Sequence, residues 1–240
     1  VGDIYADQTR DNIDTNPDLA PKAKAILNDL IDEAVDDDGM LSVHGYYAGE
    51  SNTPPPDGTD ILAVYGGAED QIVLNAEDLA NGVAVDASNA ESGIFVDLSP
   101  DDPDASPDAN SVIYGSDYDD TVIGGDEDLL AVLDGGDDTV VTGNGDETLF
   151  MGSGDDIVRI NGGGTDYVDG GEGNDTLTLS GTSDDWTSET DEGTGEVTYT
   201  NAATGQTVTV VNVEQINYGD ELGKQLDVDD TVDDLDPEDF

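Results

Sequence analysis

The sequence predicts an all-β protein built as a parallel β-roll or β-helix solenoid, with a short N-terminal helix and a small C-terminal β cap. Three observations carry this. From Gly115 to Thr178 the chain repeats at a nine-residue step through seven consecutive blocks, interrupted by one extra residue, Ile160. Ahead of them, β-rich pieces recur about every ten or eleven residues, a spacing too tight for helices between strands and suited to solenoid coils. Glycine and acid also hold fixed places within the blocks, as in "LDGGDDTVV", "TGNGDETLF" and "MGSGDDIVR".

Composition bounds what such a chain can do. Of 240 residues, 59 are acidic and 5 are Lys or Arg, a formal net charge of −54. Self-repulsion of that size opposes compaction and argues against nucleic acid and anionic membrane surfaces as partners. The acids are either a solvated coat or ligands for a cation. Cysteine is absent, which removes disulfides and thiolate metal sites and leaves a bound metal as the available staple. No run of eighteen apolar residues occurs, so no transmembrane segment is expected. The chain opens at Val1 without a basic-then-apolar leader, so an export signal is expected to have been removed or to lie elsewhere.

Residues 1–60 are expected to be a helical segment and linker. In "NPDLAPKAKAILNDLIDEAVDDDG", Ile26, Leu27, Leu30, Ile31, Ala34 and Val35 share one stripe at helical spacing. Pro21 suits the first turn and Gly39 the stop. "DDDGML" has part of an EF-hand loop, but Ala34 and Gly45 stand where the first and twelfth ligands belong, so a helix end and turn is the better reading. "NTPPPDGTD" reads as linker. Residues 61–114, with "ILAVYGG", "QIVLN", "GVAVDAS", "GIFVDLS" and "SVIYGS", read as irregular solenoid coils interrupted by the acidic loop "SPDDPDASPDAN". Residues 115–178 are the nonapeptide array. Residues 179–219 read as a cap of ordinary strands with "NAATGQ" as a hairpin turn. Residues 220–240 form an acidic tail with few apolar residues, expected to be disordered alone and a candidate secretion signal.

The last block, "GGEGNDTLT", fits the pattern GGxGxDxUx in full, and on these blocks the chain resembles the RTX (repeat-in-toxin) nonapeptide proteins. "GIFVDLS…SVIYGSDYDDTVIGG" is similar to the usual lead-in to such arrays, and "LTLSGTSDDWT…VTVVNVEQINYGD" to the strands that usually follow. The resemblance covers about residues 61–220.

The spacing also has a physical reason of its own. Places seven to nine make a short strand whose middle side chain points inward: Val122, Ala131, Val140, Leu149, Val158, Val168 and Leu177. Places one to six must turn sharply, and glycine permits the positive φ this requires. The turn leaves backbone carbonyls facing one point, and the sixth-place acid adds carboxylate oxygens. Calcium, a hard cation with about six to eight oxygen ligands, fits such a shell, whereas magnesium demands a tighter octahedron. Neighbouring carboxylates are then tolerable because a divalent ion lies between them.

The resemblance implies two nonapeptides per coil, like turns stacked every eighteen residues, and calcium between stacked turns. On that basis the odd blocks carry an unbroken sixth-place row, Asp120, Asp138, Asp156 and Asp175. Their fifth-place neighbours are Asp119, Asp137, Asp155 and Asn174, with Gly136, Gly154 and Gly173 at the fourth place. The even row, Leu129, Glu147 and Asp166, is defective. Tyr118 and Glu127 replace fourth-place glycines, and "YGGAEDQIV" reads as a further turn with Asp70 as ligand.

Solubility alone does not explain the glycine register, so the odd row is read as a ligand row, and the scattered acids as surface. Among so many acids, carboxylate pairs at glycosidase spacing arise by chance. His44, the single histidine, excludes polyhistidine zinc sites and is expected at a surface or turn. Trp186 is expected to pack where the array meets the terminal strands. At outward places of the even blocks, Leu130, Val132, Thr148, Phe150, Tyr167 and Asp169 form a largely apolar face. It is expected to need cover from the chain's own helix or from another subunit.

The function expected is that of a secreted calcium-binding protein with a structural role, not an enzyme. It would fold and self-assemble in extracellular calcium as a surface layer, filament or matrix. Its partners would be calcium ions and a second copy or a cell-surface component. RTX proteins typically leave the cell by a one-step, type I route that reads the C-terminus, and the ending "DPEDF" is compatible with it. The alternative is the folding and secretion module of an RTX toxin or enzyme, although the 60 residues ahead of the first solenoid coil are expected to be too few for a catalytic domain unless the sequence is a fragment. A calcium reservoir is a third reading.

Overall fold

The computed structural model describes residues 2–5, 24–25, 28, 40–47, 61–66, 72–75, 84–99 and 111–219. Strand β1 (Gly2–Tyr5) pairs antiparallel with β2 (Met40–Tyr47). Coils follow, each giving one strand to a long sheet and one to a short sheet. They are β3 (Ile61–Gly66) and β4 (Ile72–Asn75), β5 (Ala84–Ala90) and β6 (Ile94–Asp97), β7 (Ser111–Tyr114) and β8 (Thr121–Ile123), β9 (Leu129–Val132) and β10 (Thr139–Val141), β11 (Thr148–Phe150) and β12 (Ile157–Ile160), β13 (Thr165–Asp169) and β14 (Thr176–Leu179). A 3-10 turn, Ser183–Asp185, leads into the hairpin β15 (Trp186–Thr190) and β16 (Val197–Asn201). The chain then returns through β17 (Thr207–Val211) and β18 (Gln215–Tyr218). The long sheet runs β1-β2-β3-β5-β7-β9-β11-β13-β17-β16-β15 and the short one β18-β14-β12-β10-β8-β6-β4. Strands of successive coils pair in parallel, so the described residues form the expected all-β solenoid.

The array strands are short because glycine and acid return every nine residues and turn the chain. Their middle residues hold the stack together. Val122, Val140, Val158 and Leu177 lie in register along the short sheet. Ala131, Leu149 and Val168 do so along the long one. None of these seven is more than 3% exposed. Each Val or Leu among them contributes about 1.5–3 kcal/mol of burial. The slip at Ile160 is absorbed without loss: β12 gains one residue, Ile160 is buried, and it pairs with Leu179.

The structure departs from expectation in several places. Residues 1–60 are not only helix and linker, because β2 extends the long sheet in parallel with β3. His44 accordingly sits in strand β2, opposite Leu62, and not in a turn. Of the expected helix only Lys24, Ala25 and Asn28 are described, and these are helical. The C-terminal strands are not all a separate cap. β17 and β18 continue the parallel stack on β13 and β14, leaving only the antiparallel β15–β16 hairpin outside it. Trp186 does pack at that junction, 6% exposed, with its indole N–H donating to the Ser180 carbonyl at 2.7 Å. The even outer face is covered within the chain, one of the two arrangements expected: Leu130, Val132 and Phe150 are buried. The tail 220–240 and Asp70 lie outside the described residues.

Candidate metal centre

Side chains two apart on a strand share a face. The sixth-place residue therefore follows the eighth toward the inside. Asp120, Asp138, Asp156 and Asp175 are all buried, at most 2% exposed. They form one continuous ladder. The backbone N–H of Asp120 donates to Asp138 Oδ1 at 2.7 Å, that of Asp138 to Asp156 Oδ1 at 2.7 Å, and that of Asp156 to Asp175 Oδ1 at 3.0 Å. Each carboxylate thus spends one oxygen on the coil before it.

The second oxygen divides the row. Asp120 Oδ2 accepts the Ser116 N–H at 2.8 Å, while its Oδ1 accepts the Ile94 N–H and the Ser116 hydroxyl, both at 2.8 Å. Asp138, Asp156 and Asp175 have no donor for Oδ2, although these oxygens are buried. An unmet buried charged oxygen is costly. Burial pushes the Asp138 carboxyl up to about 9 and Asp156 up to about 7, and raises Asp175 as well. Neighbouring row carboxylates add to the rise at Asp138 and Asp156. Burial also lifts Asp120, but only to about 6, because its donors favour the charged form.

The fifth-place acids sit elsewhere. Asp119, Asp137 and Asp155 are exposed, and each caps the next coil. Asp119 Oδ1 accepts the Asp137 N–H, Asp137 Oδ1 that of Asp155, and Asp155 Oδ1 that of Asn174, all at 2.9 Å. The paired acids of each block therefore do not enclose one point. They face opposite ways and form two ladders, one buried and one exposed, with hydrogen bonds running in opposite directions along the stack.

Glycine at the fourth place has two causes. Gly136, Gly154 and Gly173 have φ of 124, 150 and 149°, in the region that favours glycine. They also stack so closely that a Cβ on Gly154 would lie 1.8 Å from the Gly136 carbonyl oxygen, and one on Gly173 1.7 Å from that of Gly154. Tyr118, at the fourth place of the first odd block, is exposed, and the row begins beyond it.

On the even edge Leu129, Glu147 and Asp166 are buried. The Glu147 N–H donates to Asp166 Oδ1 at 3.2 Å, and neither Glu147 carboxylate oxygen has a donor. Burial, followed by the adjacent Asp166 carboxylate, pushes Glu147 up to about 9, and burial raises Asp166 too.

Three contributors were missed in the sequence. Ser116 supplies two donors to Asp120. Glu214 ends the odd ladder, its Oε2 accepting the Asp175 N–H at 2.9 Å. Gln206 reaches Asp166 from β17's leading edge. Glu214 had a signal: it precedes Ile216 by two, as Asp175 precedes Leu177.

The donor set suits a hard cation only in part from side chains. The orphaned Oδ2 atoms are buried oxygens lacking a positive partner, which is what such an ion supplies. Yet among the described residues no three His, Cys, Asp or Glu side chains converge as a metal site. Turn carbonyls would have to complete any shell of about six to eight oxygens. Compared with known proteins, the chain matches no protein-family model and no curated relative.

Proposed function

We propose that this protein is an RTX-like calcium-binding β-roll whose folding depends on the ion. It would act outside the cell in a structural, non-enzymatic role and self-associate in calcium. The observation that supports this most is the buried odd row with three orphaned oxygens, on Asp138, Asp156 and Asp175. They recur in register along the stack, and at neutral pH they leave a line of carboxylates that only protons or cations relieve. Calcium held beside them, with turn carbonyls, would supply the missing positive charge. Binding free energy would then become folding free energy. Scarce calcium inside the cell and ample calcium outside would confine folding to the exterior.

The burial of Leu130, Val132 and Phe150 within one chain removes the apolar face as a reason for assembly. Self-association therefore has to be tested directly. Circular dichroism in chelator and then in excess calcium should show a coil-to-β change. Light scattering on the same samples should rise with calcium. A β spectrum that melts cooperatively and identically in chelator would refute calcium-dependent folding; unchanged scattering would refute assembly alone.

A further inference from the structure

The C-terminal end of the even edge holds a group that neither ladder uses. Gln206 is 4% exposed. Its side-chain amide nitrogen donates to the Gly162 carbonyl at 2.6 Å, lies 3.3 Å from the Gly163 carbonyl, and lies 3.5 Å from Asp166 Oδ2. Three acceptors around one terminal atom fix that atom as nitrogen, since an oxygen there would face three oxygens. An NH₂ has two hydrogens for them. The Gly162 bond is short, and the two longer contacts share what remains.

The chemistry of this set is informative. Two successive turn carbonyls and the second oxygen of a sixth-place aspartate point at one spot. On the odd edge the corresponding Oδ2 atoms of Asp138, Asp156 and Asp175 meet no donor. On the even edge the same oxygen of Asp166 meets an amide. A glutamine placed only to tidy a strand end would need one carbonyl; this one gathers a carboxylate as well. The other end of the even row is closed differently, by Leu129, whose side chain offers no oxygen.

We infer that Gln206 is a neutral plug standing where a hard divalent cation would otherwise sit, so that the even edge ends in a metal-free lock. This rests on the reading that odd-edge turns hold calcium, but its chemistry is separable. An amide supplies partial positive charge at all calcium concentrations. A carboxylate in its place would turn three oxygens and a donor into a wholly oxygen-lined site.

The test is a count of bound calcium by equilibrium dialysis at saturating calcium, on wild type, Gln206→Glu, and Gln206→Glu combined with Asp166→Asn. Circular dichroism on each sample reports folding. Gln206→Glu should bind one more ion per chain than wild type, and the double variant should lose it. An unchanged count in Gln206→Glu overturns the plug. So does an extra ion that persists in the double variant, or a Gln206→Glu protein that stays unfolded at every calcium concentration. If wild type binds no calcium, the proposed function falls. One ion in Gln206→Glu against none in wild type would still uphold the plug, and none in either would overturn both.

Discussion

A buried carboxylate becomes tolerable by taking a proton or by holding a cation. The two routes separate with pH. Burial raises Asp138 and Glu147 to about 9 and Asp156 to about 7, well above ordinary carboxylates near 4. Between those limits the folded chain binds more protons than the unfolded one, so stability falls as pH rises. The metal-free fold should thus be firmest near pH 4 and weaken progressively toward pH 7–9. Thermal melts in chelator across that range check this; a melting temperature that climbs with pH would overturn it. Asp138→Asn keeps an oxygen for the Asp120 N–H but removes the charge. It should raise the melting temperature in chelator at neutral pH and weaken calcium binding by at least about tenfold. Glu147→Leu places at one even turn what Leu129 already places at another. It should stabilise the chelator form at pH 7–8 and make little difference at pH 4, where the glutamate is protonated. Paired melts of each variant decide both.

Within a coil, the turn is the constrained part and the strand is replaceable. Gly154→Ala would force φ of 150° on an L-residue and drive a methyl into the Gly136 carbonyl at 1.8 Å. Strain of about 1–3 kcal/mol from the backbone alone, plus displacement of the stacked coil, should lower stability severely. Gly205→Ala has a positive φ of 82° but nothing within 4 Å, so it should cost only about 1–2 kcal/mol. Denaturant titrations in calcium compare the two, and equal losses would show that coil stacking is not what excludes a side chain. The same division explains what was legible in the sequence. The inward places and the odd acid row could be read because a nine-residue step fixes both the turn and the alternation of faces. Period two also set Asp120 and Asp119 on opposite faces, a consequence that a shared metal shell obscured. β17 and β18 read as an ordinary cap because the β15–β16 hairpin interrupts the step, although acid, spacer and apolar residue recur at Glu214 and Ile216. Gln206 left no periodic trace, since a long side chain reaching from one coil into the next obeys no fixed spacing.

Across the molecule, a net charge of −54 acts on every coil at once. Salt screens that repulsion at distances beyond about 8–10 Å but puts no ligand beside a buried oxygen. Sodium chloride at the ionic strength of the calcium buffer should therefore restore only part of the folded signal in circular dichroism. Full recovery in sodium chloride would make the protein a salt-adapted solenoid rather than a calcium-dependent one. The two ladders run in opposite senses, so each interior coil donates a backbone N–H to the next coil's buried carboxylate and accepts one from that coil at its own exposed carboxylate, at an eighteen-residue step. Such a coil presents at its lower side what its upper side requires. Residues 133–150 could then be copied and spliced in after position 150, and the newcomer would find its mates on both flanks, lengthening the rod by about 4.8 Å. The chain behaves as a ruler with interchangeable graduations, and its length is a choice that the chemistry of any one coil leaves open.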